Sequence, residues 1–130
     1  MDGATLHRVA RERAEQLAGS VFERPFGPDW DVYKVGGKVF LLMTDVTGRA
    51  MVTLKAEPAA GEALRATYAD VGPGYHMNKR HWVTLTPGES LTEQLVWELV
   101  EDSYDLVVEK LPKGLRPDAM NRPMSMPREH

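Results

Sequence analysis

Val32-Tyr33-Lys34-Val35-Gly36-Gly37-Lys38-Val39-Phe40-Leu41-Leu42-Met43-Thr44 reads as two strands joined by a two-residue turn. β-Branched and aromatic residues dominate both sides of Gly36-Gly37, and a primed hairpin turn needs positive φ at both central positions, which glycine adopts without strain. Asp45-Val46-Thr47-Gly48 supplies a second turn, and Arg49–Ala56 a third strand, which completes a meander. If Val35 faces Lys38 and Thr44 faces Arg49, opposed residues share a face. Val32, Val39, Leu41, Met43, Ala50, Val52, Leu54 and Ala56 then form the core face, with Lys34 its only charge. The other face collects Tyr33, Val35, Lys38, Phe40, Leu42, Thr44, Arg49, Met51, Thr53 and Lys55. It is half apolar, with three basic residues and no acid. A slip of one residue at the longer turn would exchange the faces of the third strand.

Helical spacing brackets this meander. Leu6, Val9, Ala10, Ala14, Leu17, Ala18 and Val21 recur at three- and four-residue steps, and Gly19-Ser20 and the Pro25–Pro28 loop end that helix. Pro58 opens a short middle helix through Leu64 and Tyr68, which Asp70–Gly74 breaks. His81–Leu85 reads as a further strand. Ser90-x-x-Glu93 has the form of a capping box, in which each side chain satisfies a free backbone N–H of a first helical turn. Leu91, Leu95, Val96, Leu99 and Val100 continue from it. Tyr104, Val107, Val108 and Leu111 follow the same spacing, either in one kinked helix or in a second one capped by Asp102 or Ser103. The expected fold is α+β: an antiparallel sheet of about four or more strands, packed by an N-terminal helix, a short middle helix and C-terminal helices. Residues 1–111 form the expected single domain, and 112–130 a non-helical tail with prolines at 112, 117, 123 and 127.

The chain has 130 residues, no cysteine and a net charge of −3. Disulfides, thiol catalysis and thiolate metal sites are excluded, and a reducing, cytoplasmic setting is expected for a soluble protein. No run is apolar and long enough to span a membrane. An acidic net charge argues against bulk attraction to nucleic acid, but the charges are unevenly placed. Residues 1–85 carry eleven basic and ten acidic side chains; residues 86–109 carry seven acidic and none basic; residues 110–130 carry five basic and two acidic.

Gly72–Leu85, GPGYHMNKRHWVTL, is the most distinctive polar stretch. Lys and Arg neutralise phosphate, Asn and backbone N–H groups donate to it, and flanking aromatics stack on bases. The competing reading is an ordinary polar loop with Trp82 turned inward. His76 and His81 are a poor metal pair, five residues apart in a loop without cysteine or a nearby acid. Glu101, Asp102 and Asp105 read as a solvated helix face, and Val35-Gly36-Gly37-Lys38 is a hairpin tip where a phosphate loop would need a strand-to-helix turn. No catalytic constellation is evident, so a non-enzymatic protein without cofactor or metal is expected.

Three stretches resemble the signatures of the MmcQ/YjbR family, in the right order and across most of the chain. They are Phe26-Gly27 with Trp30 and Tyr33–Phe40, then Pro73–Trp82, then Ser103–Val107. The resemblance implies a compact CyaY-like fold with helices on an antiparallel sheet, no known cofactor or activity, and DNA binding. The interface expected on that basis joins the mixed sheet face (Tyr33, Lys38, Phe40, Arg49, Lys55) to His76, Asn78, Lys79, Arg80 and His81, with the acidic helix turned away. The alternative is a protein-interaction or adaptor module that buries Phe40, Leu42 and Met51 against a partner or a second copy. A further possibility is a small anionic ligand under the His76–His81 loop.

Overall fold

The computed structural model describes residues 1–117. Two helices that run in the same direction, α1 (Gly3–Gln16) and α3 (Glu93–Val108), pack against each other and on one face of a six-stranded antiparallel sheet. Its strands are β1 (Val21–Glu23), β2 (Trp30–Val35), β3 (Lys38–Thr44), β4 (Met51–Lys55), β5 (Val71–Pro73) and β6 (Trp82–Leu85), in spatial order β1-β2-β3-β4-β6-β5. The helix α2 (Pro58–Thr67) lies beside β5. This is the expected α+β architecture, enlarged by the short edge strands β1 and β5.

Gly36 and Gly37 both take positive φ, 57° and 79°, as the primed turn requires. Beyond the turn the register departs from simple alternation. Val35 faces Lys38 and Lys34 faces Val39, but Tyr33 then faces Leu41. The extra residue is Phe40, a β-bulge that turns Phe40 and Leu41 both toward the helices, where both are fully buried. One inserted residue inverts the faces of everything on its far side. Tyr33, Val35, Lys38 and Phe40, expected on the outer face, therefore point to the helix side; Val32, Lys34 and Val39 exchange with them. At the second turn Thr44 faces Met51, two residues from the expected register. An even shift preserves the faces, so Leu41, Met43, Val52 and Leu54 remain in the helix-side core.

α3 is a single helix. Its N-cap is Thr92, whose side chain accepts from the Leu95 N–H; Ser90 instead exchanges three hydrogen bonds with Asp70, so the expected capping box does not form. Ser103 is not a cap either. It is buried in the middle of α3, where its hydroxyl donates to the Phe40 carbonyl at 2.6 Å and accepts from the Lys55 N–H at 2.8 Å. The ladder between β3 and β4 stops at Leu41–Leu54, and Ser103 supplies the missing partner on each side of the bulge. Tyr104 follows with its ring edge-on to Phe40, centroids 5.4 Å apart, and its hydroxyl donates to the Ala18 carbonyl.

The helix layer also holds a buried cation. Arg13 is wholly inaccessible, pairs with Glu101 and lies over the Trp97 ring at 4.7 Å. Arg13 falls on the apolar side of α1, and its charge requires this partner there.

The outer face is covered as well. The Tyr75 N–H donates to Thr84 Oγ1, which bonds Thr53 Oγ1 across the strands, and the Tyr75 ring stacks on Trp30. Anchored on β6 and reaching β2, the 74–81 loop crosses that face, and Val32, Leu42, Met51 and Thr53 beside it are buried. Phe40, Leu42 and Met51, the expected docking surface for a partner, are thus all inside the protein. The first residues of the proline-rich tail belong to the domain: a 3₁₀ turn at Lys113–Leu115 is followed by Arg116, which donates to the Leu111 and Glu109 carbonyls. The expected tail from residue 118 onward lies outside the described residues.

Candidate functional site

β3 begins, β4 ends and β6 begins at one end of the sheet, which places Lys38, Lys55 and Trp82 there together. The last turn of α3 and the segment after it lie over the same end. Between them runs a groove of about 550 Å³ whose walls are Gly36, Lys38, Val39, Lys55, Trp82, Val107, Lys110, Leu111, Pro112 and Leu115. The floor is aliphatic, one wall is an indole, and every charge on the lining is a lysine. A side chain at Gly36 would collide with Leu111, its Cβ falling 2.6 Å from that side chain, so glycine serves both the turn and the groove wall. The Lys55 ammonium sits 5.7 Å from the centre of the Trp82 ring. Burial, and then the neighbouring Lys110, pull its pKa below the ordinary lysine value. Among the described residues none of Lys38, Lys55 and Lys110 has an ion-pair partner. Arg116, bonded to the carbonyls of Glu109 and Leu111 just past the end of α3, offsets the negative helix end that would otherwise weaken this positive field.

A second groove, of about 300 Å³, adjoins the first and shares Lys55 with it. Its rim carries Glu57, Asp102, Asp105 and Glu109, over a floor of Ala56, Ala60, Leu64, Leu99 and Leu106. Burial, then the nearby Asp105, Glu101 and Glu98, raise the Asp102 carboxyl above its usual value. The acidic side of α3, expected to turn away from the basic surface, is therefore next to the lysine groove.

Residues 15–106, from the last turn of α1 into the last turns of α3, match the family described as YjbR. The chain belongs to the YjbR family. It is 41% identical over 113 residues to the Escherichia coli O157:H7 protein described as "Uncharacterized protein YbdF", covering 87% of this chain and 93% of that one. It is 37% identical over 90 residues to "Uncharacterized protein YjbR" of Escherichia coli K12, covering 68% and 76%. The crystal structure of Deinococcus radiodurans DR2400 superposes with a TM-score of 0.75 at 34% identity, covering 89% of this chain and 88% of that one. A Pseudomonas syringae protein shares the fold, with a TM-score of 0.66 at 24% identity. Family membership fixes the fold, and the groove must be read from its own chemistry.

In this YjbR-family protein the expected interface residues part company. Lys38 and Lys55 line the groove. Asn78, Lys79, Arg80 and His81 form the turn that leads directly into Trp82. Asn78 Oδ1 accepts from the Arg80 N–H and its carbonyl accepts from the N–H groups of His81 and Trp82, so Asn78 shapes the turn while Lys79 and Arg80 stay exposed. Gly74 closes the same turn, its N–H on the Trp82 carbonyl, and a Cβ there would strike Trp82 at 2.7 Å. His76 is exposed, with φ 57° and its ring 4.1 Å from that of Tyr75. Two expected residues lie elsewhere. Tyr33 is buried beneath α1, bonded to Glu15 and Arg11. Burial and the Glu15 hydrogen bond push its phenol up to about 12. Arg49 stands at the far end of the sheet, bonded to the Pro87 carbonyl, about 20 Å of strand from Lys55. Leu111 was legible as the last residue of the helical repeat, whereas Lys110 and Leu115 escape a reading by pattern. The one hint is the change from acid to base at residue 110.

Proposed function

We propose that this protein binds nucleic acid through the groove at the Lys38 end of its sheet, without catalysing a reaction. The observation that carries this reading is three lysines without ion-pair partners among the described residues, set around an indole and an aliphatic floor, with no carboxylate on the lining. Lysines supply the phosphate contacts that dominate such affinity, and the indole supplies a surface for a base. Lys79 and Arg80, exposed in the turn before Trp82, extend the positive field beyond the groove mouth. A net charge of −3 does not oppose this, because screening over about 8–10 Å makes the local arrangement decisive.

The test is fluorescence anisotropy with labelled DNA at about 50 mM and about 200 mM salt, since phosphate neutralisation gives a steep salt dependence. Lys38→Glu and Lys110→Glu are expected to weaken binding of all sequences alike. Removing one phosphate-binding lysine lowers the salt slope by about one. No binding at about 50 mM salt, where attraction is strongest, overturns the reading.

A protein partner is the second reading, now on a different surface. Val21, Phe22 and Phe26 are exposed at the β1 edge, at 51%, 44% and 64%, and an apolar edge strand is a template for another chain. Light scattering tests it: a dimer dispersed by Phe22→Glu supports this reading, and a monomer at all concentrations removes self-association.

A further inference from the structure

The two adjoining grooves restrict which form of nucleic acid can be held. A duplex presents phosphates on two strands across a stiff cylinder. Set against Lys38 and Lys110, its second strand would run over the acidic groove, whose Asp102, Asp105 and Glu109 begin where Lys55 ends. Like charges opposed in this way cost binding energy, and salt screens them least at close approach. The helix beside the groove offers no way out. α3 carries Glu93, Glu98, Glu101, Asp102 and Asp105 and no basic residue, so it is unsuited to enter a major groove. A single strand has one line of phosphates and free base faces, and it can follow the lysines while leaving the carboxylates uncovered.

We infer that the groove takes single-stranded nucleic acid, with a base against the Trp82 indole and flanking phosphates on Lys38 and Lys110. This rests on the nucleic-acid reading above and narrows it. The aliphatic floor formed by Val107 and Leu111 suits an unstacked base, which a paired duplex does not expose. Lys55, held over the same indole, faces the incoming phosphate from the side on which the acidic groove begins. It therefore sets the boundary of the path.

The experiment compares three labelled ligands of about 12 nucleotides, within the usual site size for such grooves: a single strand, its blunt duplex, and a strand of equal charge with abasic positions. The single strand is expected to bind at least fivefold tighter than the duplex, and about tenfold tighter than the abasic strand, the loss of one stacked base. The abasic comparison leaves the protein untouched, so a fold defect cannot imitate it. Quenching of tryptophan emission by the single strand should also diminish in Trp82→Phe, where Trp30 and Trp97 remain. Equal or tighter duplex binding overturns the single-strand inference while the wider reading stands, and equal abasic binding overturns the stacking. If no ligand binds at low salt, the wider reading falls with it.

Discussion

Ser103→Ala should be among the most damaging single-atom deletions in this protein. The hydroxyl bridges two strands that the bulge at Phe40 has pulled apart, donating to the Phe40 carbonyl and accepting from the Lys55 N–H. Alanine fits the helix and has the better helical propensity, so the cost comes from the two backbone groups left without partners. Each made bond contributes about 1 kcal/mol net, and each buried group left unsatisfied costs about 1–3 kcal/mol. A loss of about 2–4 kcal/mol is expected. For a chain of this length that lowers the midpoint of thermal unfolding by roughly 10 °C. Urea unfolding measures it, and Thr92→Ala provides the scale. That change removes only an exposed helix cap, at about 1 kcal/mol. If Ser103→Ala costs less than about 0.5 kcal/mol with an unchanged denaturant slope, the hydroxyl does not replace the interrupted ladder. Because the Lys55 backbone is one of the two groups freed, the variant should also weaken the lysine groove for its ligand.

Further outcomes follow from other parts of the structure. Glu101→Ala removes the carboxylate paired with the wholly buried Arg13 guanidinium and should cost about 3–5 kcal/mol in chemical unfolding; a cost below about 1 kcal/mol would mean that this ion pair is not what holds the charge in the helix layer. Tyr33 has a phenol raised to about 12 by burial and by Glu15, against about 10 in the unfolded chain. The folded state then keeps a proton that the unfolded state has lost, so this contribution is complete below pH 10 and disappears as the pH climbs toward 12. Tyr33→Phe should flatten that alkaline decline relative to the parent protein, and identical pH profiles would contradict the assignment. Arg49→Glu, at the opposite end of the sheet, should leave DNA affinity within about twofold, whereas Lys110→Glu should lower it severalfold; equal losses would remove the groove as the site.

Local pattern revealed the hairpin, the third strand, the last major strand and the three helices, because each rests on turn chemistry or periodicity that a single stretch contains. What failed was parity. Nothing in Val39-Phe40-Leu41 marks a bulge, since all three are good strand residues. The bulge is selected by Ser103, sixty-three residues away, which can satisfy the carbonyl it exposes. That one residue moved Tyr33 from interface to core and Lys38 from the outer face to the groove. β1 and β5 were hidden for a different reason. Each has three residues, too few for alternation to register, and each exists because a neighbouring strand offers an unpaired edge. Ser90 misled in a third way. Its spacing to Glu93 suits a cap, but Asp70 lies close enough in space to take it.

Charge segregation was legible along the chain and only half legible in space. The seven acids of residues 86–109 do lie together, mostly on α3, but a helix that packs over a sheet must end somewhere along it. α3 ends over the start of β3, so the acid that caps it, Glu109, is followed directly by Lys110 at the groove that Lys38 and Lys55 already form. Three of the seven acidic side chains, Asp102, Asp105 and Glu109, therefore do not cancel the lysines; they border them. On the proposed nucleic-acid reading, a border between opposite fields, with Lys55 lining both grooves, would give a bound polyanion a direction as well as a place. Binding strength should then depend on how few phosphates a ligand must carry past that line, and a flexible single strand carries the fewest.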